Sequence, residues 1–196
     1  MEQQSPLIAI GAINFNLSLP TPDLAQETIA DFAAALAAQP AGTKLTPPAI
    51  GEYWPGQGGI YGGLRLYPEG LCHLIFAAQD VGKHAYGEYG TEVEAANQID
   101  GRANTAILVN RDGSHPAADA AYTFTCDGHN DFYLPAIGEL HHSYLYLPDS
   151  FEKAWYVSSS QRSAHNAYFV DFEGGWLYDS HKSNEFLVRP VRRILQ

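Results

Sequence analysis

The sequence predicts an α+β domain that is preceded by a strand–helix arm, and three observations support this class. Short apolar runs recur through the last two thirds of the chain, and long polar connections separate them, as in domains built from many short strands. Few segments there carry helical spacing or helix-capping residues. The stretch Thr46-Pro47-Pro48 is predicted to be a stiff linker, because proline fixes φ and disfavours helix in the preceding residue.

Residues 1–48 are predicted to form the arm. Leu7–Leu19 is predicted to be a strand, because polar and apolar residues alternate there with a period of two. Asp23 is placed to cap a helix over residues 24–38, whose apolar residues lie near one face. One strand and one amphipathic helix cannot bury their apolar faces alone. We therefore expect the arm to attach the chain to another protein or to form a homo-oligomer.

Residues 49–196 are predicted to form the main domain, which opens with a β-hairpin. Its strands are Ile60–Leu66 and Leu71–Ala78, and Tyr67-Pro-Glu-Gly70 supplies the turn. Ala103–Val109 is predicted to be a further strand, which ends at the turn residues Asn110-Arg-Asp-Gly113. Ala117–Tyr122 is predicted to be a short helix.

The remainder of the chain is predicted to contain one helix and four strands. Pro135 suits the first position of a helix that runs to about Leu145. The predicted strands are Tyr156–Ser160, Ala167–Phe172, Trp176–Tyr178 and Glu185–Leu195. Gly174-Gly175 lies between two of them, so we expect a tight hairpin with a positive φ in at least one glycine.

The charge of the chain excludes some classes of partner. A formal net charge of −11 argues against nucleic acid or an anionic membrane, since both require clustered Lys and Arg. Three arginines fall within residues 189–193, but the apolar residues among them favour an ordered strand over a basic tail. No run approaches the ~18 apolar residues of a membrane span, and no basic region precedes Leu7–Ile13. We expect a soluble chain that no Sec-type signal exports.

Several candidate chemistries have weak support in the residues. The glycines between Gly56 and Gly63 fit no phosphate-binding pattern. His141 and His142, with His129, would make poor zinc ligands, because adjacent helical residues diverge by about 100°. We expect no cofactor.

Three further sets of residues leave alternatives open or lack a required feature. Asp127, Asn130 and Asp131 suit either a calcium ion or, more commonly, an Asx-rich turn. Ser158–Ser160 with His165 and Asp171 supply the residue types of a hydrolase triad, but no nucleophile elbow surrounds these serines. Cys72 and Cys126 are too few for a disulfide scaffold, and the sequence leaves open whether they are bridged.

Five motifs, in order, resemble the Lcl C-terminal domain family, a domain of bacterial surface proteins and of phage or prophage tail proteins. The matching residues are Trp54–Leu64 with Cys72–Ile75, Leu134-Pro135 with Glu139-Leu140, Trp155 with Ser158-Ser159, Phe172 with Gly175, and Val188-Arg-Pro-Val-Arg192. The likeness covers residues 50–195 approximately, and the first fifty residues lie outside it.

The resemblance implies a C-type-lectin-like fold for residues 49–196 and a binding function without catalysis. It implies a tail protein of the virion, assembled in the host cytoplasm, that recognises a glycan or protein receptor on the host cell surface. Other tail proteins would then bind the arm. The paired calcium-ligand motifs of sugar-binding C-type lectins are missing from the sequence, and so is the paired cysteine site of the related formylglycine-generating enzymes.

In C-type-lectin-like folds the connections between the final strands form the ligand face. There this chain carries aromatic rings among adaptable polar groups, as recognition surfaces do. The predicted ligand-binding residues are Tyr156, Gln161, Arg162, His165, Asn166, Glu173, Trp176, Tyr178, Asp179, His181 and Asn184, with Lys182 beside them. For Trp176 and Tyr178, display and simple packing both remain open. Trp155 is predicted to be core.

Two other functions fit the same residues. The C-terminal segment is rich in Asn, Tyr, Ser, His and Asp, as in a variable protein of a diversity-generating retroelement. A purely structural tail component without a ligand is the second alternative.

Overall fold

The computed structural model describes residues 46–196, which belong to one compact unit. The predicted arm, residues 1–48, lies outside the described residues apart from its last three. Within residues 46–196, no helix combines the length and the apolar character that crossing a membrane would require.

The described residues form an α+β structure with nine strands and three α-helices, which confirms the predicted class. A single turn of 3₁₀ helix, Pro148–Ser150, follows the last of the three α-helices. In chain order the elements are β1 Tyr53–Trp54, β2 Gly59–Tyr67, β3 Gly70–Phe76, β4 Lys83–Ala85, α1 Gly101–Asn110, α2 Pro116–Tyr122, α3 Ile137–Tyr146, β5 Trp155–Gln161, β6 Asn166–Asp171, β7 Leu177–His181, β8 Glu185–Leu187 and β9 Val191–Leu195.

The first sheet has the order β1-β2-β3-β9 and is antiparallel throughout. The predicted opening hairpin is confirmed as β2 and β3, which pair from Ile60 opposite Phe76 to Tyr67 opposite Gly70. Gly70 has a φ of 131°, a conformation that residues with a Cβ rarely adopt. Cys72, in β3, and Cys126 are both free thiols.

The second sheet has the order β4-β8-β5-β6-β7. β5 and β8 run parallel at Tyr156 and Leu187, whereas the other neighbours are antiparallel. The tight turn expected between β6 and β7 is present, and Gly175 has a φ of 76°. In the strand order of this sheet, β7 lies at one edge and β5 lies at the centre.

Three predicted elements differ in the structure. The predicted strand Ala103–Val109 is wrong, because α1 occupies these residues and the Asp100 side chain caps it by accepting from the Ala103 N–H at 3.0 Å. Glu185–Leu195 divides into β8 and β9, which belong to different sheets, because the chain crosses between the sheets at residues 188–190. The predicted helix after Pro135 begins at Ile137, two residues later than expected.

The second sheet lies between two hydrophobic cores. One core joins the first sheet to α3 and to one face of β5 and β6, through Leu74, Leu140 and Tyr156. The other joins α1 and α2 to the opposite face, through Leu108 and Val157. Successive side chains of β5 therefore enter different cores, as the alternation of a strand requires.

Glu139 of α3 is fully buried, and its carboxylate accepts hydrogen bonds from four groups. Oε1 accepts from the hydroxyls of Tyr67 and Tyr133. Oε2 accepts from the backbone N–H of Ala136 at 2.7 Å and of Gly101 at 3.0 Å. Burial raises the pKa of Glu139, and these hydrogen bonds oppose the shift. One carboxylate thus ties the end of β2 to the beginnings of α1 and α3.

The three C-terminal arginines are buried, and each meets a carboxylate. Arg189 Nε lies 2.5 Å from Asp80, and Arg192 Nε lies 2.6 Å from Asp131. Arg193 contacts both Asp100 at 2.8 Å and Glu69 at 2.7 Å. The predicted ordered strand is confirmed for Arg192 and Arg193, which lie in β9, whereas Arg189 lies in the segment between β8 and β9.

We expect Glu139→Ala to lower the free energy of unfolding by about 3 kcal/mol or more, because it leaves buried donors without an acceptor. Chemical denaturation monitored by circular dichroism measures this. Glu94→Ala is the control, since Glu94 is exposed and its removal should change the free energy by less than ~0.5 kcal/mol. Equal stability of the two variants would contradict the central role of the Glu139 carboxylate.

We expect Gly175→Ala to destabilise the domain by ~1–3 kcal/mol, because the new Cβ adds backbone strain and collides with the Tyr144 ring. Gly56→Ala is a matched control: Gly56 has a φ of 75°, and a Cβ there would meet nothing within 4 Å. The difference between their thermal midpoints isolates the collision with Tyr144. Identical midpoints would show that the hairpin does not pack tightly against α3.

Candidate ligand-binding site

The exposed members of the predicted ligand set lie on the β6–β7 hairpin and on the turns next to it. Arg162 and His165 belong to the turn before β6, and Asn184 follows β7. The exposed residues are Arg162, His165, Glu173, Trp176, Tyr178, His181 and Asn184, whereas Asn166 and Asp179 are half-buried. Tyr156 and Gln161 are buried. The structure therefore brings most of the set to one edge of the second sheet.

The prediction that Tyr156 points outward is wrong. Tyr156 is fully buried because β5 is the central strand of the second sheet and a core covers each of its faces. Its hydroxyl donates to Asp80 Oδ2 at 2.9 Å and accepts from the Glu152 N–H at 2.9 Å. Burial raises the pKa of Tyr156. The residue therefore stabilises the fold from within the core.

Gln161 and Lys182, which we also expected at the surface, are buried and bind the loop that follows β4. The Gln161 side chain accepts from the Val93 N–H and donates to the Val93 carbonyl, each at 2.9 Å. Lys182 Nζ donates to the Thr91 carbonyl at 2.7 Å and to Gln161 Oε1. Burial lowers the pKa of Lys182 to about 8. Both side chains hold this loop in place.

Trp155 is half-buried, so its predicted place in the core is only partly correct. The ring contacts the second core, and its centroid lies 6.3 Å from those of Tyr178 and Phe186. Trp176 and Tyr178 are 69% and 65% exposed. We call Trp155, Trp176 and Tyr178 the aromatic platform, because the Tyr178 ring meets Trp155 and the exposed Trp176 lies two residues before Tyr178 in the same hairpin. The aromatic platform flanks the sheet edge on the side of the second core.

A groove flanks the same edge on the opposite side. It has a volume of about 420 Å³ and lies between α3 and the strands β6 and β7. Its lining residues are Gln98, Ile99, Ile137, Gly138, His141, Tyr168, Leu177, Tyr178 and Asp179. Leu177 is 45% exposed and contributes the β7 wall. The groove is mostly apolar and contains a few polar groups, as small-ligand and peptide sites do.

The charge of the groove comes from Asp179. Its Oδ2 accepts from the Asn166 amide at 2.7 Å, and Asn166 Oδ1 is buried without a hydrogen-bond partner among the described residues. Neither Lys nor Arg is among the residues that line the groove. The nearby Arg65 guanidinium donates to the Gly138 carbonyl at 2.7 Å. The groove therefore suits an uncharged or basic group better than an acidic one.

A smaller aromatic cluster lies at the other end of the hairpin. The exposed Tyr89 ring lies between His165 and His181, with centroid distances of 5.0 Å and 5.3 Å. Asn166 and His181 are opposite each other in the β6–β7 ladder. Two of the predicted residues thus gather around a tyrosine that sequence reasoning had not selected.

The residues that suggested metal binding or hydrolysis make other hydrogen bonds or lie apart from one another. Within residues 46–196, His, Cys, Asp and Glu side chains do not gather in threes that could hold a metal ion. Asp127 accepts from the Tyr53 hydroxyl and from the N–H groups of Gly56 and Gly58, as a turn-capping residue does. The Ser158 hydroxyl, buried in β5, donates to the Tyr168 carbonyl at 2.8 Å instead of meeting His165.

Sequence reasoning missed the half of the groove that comes from outside the final strands. Gln98 and Ile99 belong to the loop before α1, and no pattern in the sequence brings that loop to β7. Ile137 and His141 are four residues apart in α3 and so share one face of the helix. This spacing of four residues was the pattern in the sequence from which the α3 side of the groove could have been predicted.

No protein-family model matches the chain, and no curated protein matches it. Among solved structures it is similar to a fimbrial protein from Bacteroides ovatus ATCC 8483, with 15% identity and a TM-score of 0.45. The match covers 81% of this chain and 41% of that one, so the chain spans less than half of the fimbrial protein. A likeness at this level establishes neither a shared fold nor a shared function.

We expect the stability of Trp176→Ala and Tyr156→Ala to differ sharply. Trp176 is exposed, so its truncation should change the free energy of unfolding by less than ~0.5 kcal/mol. Tyr156→Ala should lower it by ~3–5 kcal/mol, because it leaves a cavity in the core and removes one of the hydrogen bonds to Asp80. Thermal unfolding of both variants tests this. Early unfolding of Trp176→Ala would mean that the aromatic platform is a packing surface.

Proposed function

We propose that the described residues form the receptor-binding domain of a phage or prophage tail protein, with a C-type-lectin-like fold of the Lcl C-terminal type. The domain binds a glycan or protein on the host cell surface and catalyses no reaction. Its place is the virion, after assembly in the host cytoplasm. The arm joins it to other tail proteins or to further copies of itself.

The observation that carries this proposal is the exposure of Trp176 and Tyr178 on a fixed hairpin. Large aromatic rings that remain exposed on a folded domain mark interaction surfaces more often than lone aliphatic residues do. The hairpin is held by the β6–β7 ladder and by the packing of Gly175 against Tyr144. Such rings supply contact area with little loss of conformational entropy on binding.

The motifs of the family resemblance support the lectin-like assignment through their structural roles. Glu139, in the Glu-Leu pair, is the buried residue whose carboxylate ties β2 to α1 and α3, and Leu140 is fully buried in the first core. Ser158 and Ser159 are buried in the central strand β5. Arg192, in the terminal motif, pairs with Asp131. Residues of these kinds maintain a fold, which leaves the hairpin surface available to vary with the ligand.

The test is the binding of the full chain, fluorescently labelled, to a panel of intact bacterial strains by flow cytometry. We expect Trp176→Ala and Tyr178→Ala to weaken binding about 30-fold, as the truncation of an interface hot spot does, without lowering the thermal midpoint. Tyr122→Ala is the control, because Tyr122 is a similarly exposed tyrosine in α2. Binding to no strain, or equal binding of all three folded variants, would contradict the proposal and favour a structural tail component.

A further inference from the structure

β7 is the one long uncovered edge among the four sheet edges of the described residues. β1 has two residues, and β4 has three, of which one is Lys83. β9 is covered, because Val191 exchanges backbone hydrogen bonds with Tyr133, and Arg102 donates to the Arg193 carbonyl. β7 has five residues, pairs regularly with β6 and contains neither Lys nor Pro. Natural edge strands normally carry such protection against pairing with other chains.

The backbone of β7 presents unused hydrogen-bonding groups along this edge. The Trp176 carbonyl accepts from the Asp171 N–H, and the Lys182 N–H donates to the His165 carbonyl, each at 2.9 Å. In an antiparallel ladder, alternate residues turn both backbone groups toward the same neighbour. The even-numbered residues therefore face β6, and Leu177, Asp179 and His181 face outward. Of their outward groups, the His181 carbonyl already accepts from the Asn184 N–H at 3.0 Å. The N–H groups of the three outward residues recur every ~6.8 Å, the repeat of an extended peptide.

Apolar surface flanks this edge on both faces of the sheet. The groove lies on one side, with Leu177 in its wall. The aromatic platform lies on the other, where the Tyr178 ring meets Trp155, although Tyr178 also borders the groove. The side chains of a strand alternate between the two faces, so an added strand would fill both flanks at once. A sugar chain stacked on the aromatic platform would use only one flank and none of the backbone groups.

We infer that β7 is a docking edge for an extended, basic segment of a protein receptor, which adds to the second sheet as a sixth strand. This inference rests on the proposed receptor-binding function and assigns its ligand to proteins. The basic character follows from Asp179, the carboxylate of the groove lining, which faces neither Lys nor Arg there. His141 and His181 are the other titratable groups along the edge, and Arg65 is engaged by Gly138.

A second copy of the chain fits the edge less well. Two copies related by a two-fold axis would pair β7 with β7 in antiparallel order. The register that uses all three outward residues places Leu177 opposite His181 and Asp179 opposite its own copy. Like charges that face each other across a ladder are destabilising. A basic residue opposite Asp179 removes this conflict.

The first experiment selects ligands for the full chain from a display library of random twelve-residue peptides. We expect enriched peptides to alternate apolar residues with Lys or Arg. Asp179→Asn, which keeps an acceptor for the Asn166 amide, should weaken the best synthetic peptide at least fivefold, measured by fluorescence anisotropy. Failure to enrich any peptide, or enrichment of acidic ones, would overturn the inference.

A pair of variants at one position then tests the backbone contact. Leu177→Pro and Leu177→Ala both shorten the side chain, but only proline removes the outward N–H without loss of a bond to β6. We expect Leu177→Pro to bind the peptide about fivefold more weakly than Leu177→Ala. The peptide supplies an independent check, whether or not the proline variant folds. N-methylation removes the N–H groups of alternate peptide residues. We expect it to abolish binding when the methylated groups are those that face β7, and to leave binding unchanged when they are those that face away.

Cell binding separates a failure of this inference from a failure of the proposed function. If protease treatment of the cells abolishes binding and periodate does not, a protein receptor is supported. If periodate alone abolishes it, the receptor is a glycan, so the proposed function stands and the inference falls. Dimerisation that Leu177→Pro prevents, measured by light scattering, would assign the edge to a second copy and also overturn the inference. If no cells are bound, the proposed function itself fails.

Discussion

The domain depends on the burial of one carboxylate. A buried carboxylate is stable only if its oxygens meet donors, and Glu139 meets donors from β2, from the loop before α3 and from the first residue of α1. A second charged group strengthens the arrangement, because the Arg193 guanidinium stacks on the Tyr67 ring at 3.9 Å while it pairs with Asp100. The two charges thereby fix β9, β2, α1 and α3 relative to one another.

The β7 edge of the second sheet lies at the periphery of the network around Glu139. Glu139 ties the first turn of α3 to neighbouring elements, and Ile137 and His141 of this helix form one wall of the groove. β7 forms the opposite wall and pairs with β6 alone among the strands. The turn between β6 and β7 returns to α3 through Gly175, which leaves no room for a side chain beside Tyr144. The helix α3 and the edge strand β7 therefore define two sides of the groove.

Local signals in the sequence predicted the local elements well. The hairpin of β2 and β3 follows from alternation and turn chemistry, and Gly175 follows from its place between two strands. α1 was missed because its run Ala-Ile-Leu-Val suits a strand equally well, although Asp100 was available as a cap. The division of β8 from β9 was missed because neighbouring apolar residues enter different sheets, and only tertiary packing decides that. The family resemblance and the arm remain predictions.

The site shows most clearly why residue type alone does not locate a ligand surface. Tyr156 and Tyr178 both lie in short strands rich in polar residues, yet one is fully buried and the other is largely exposed. The difference is the position of each strand, since β5 has neighbours on both sides and β7 has one. Position in a sheet depends on pairings between distant parts of the chain, which no local pattern records. The same edge position that exposes Tyr178 also frees the outward backbone groups of Leu177 and Asp179, so side-chain display and backbone availability in β7 have one topological cause.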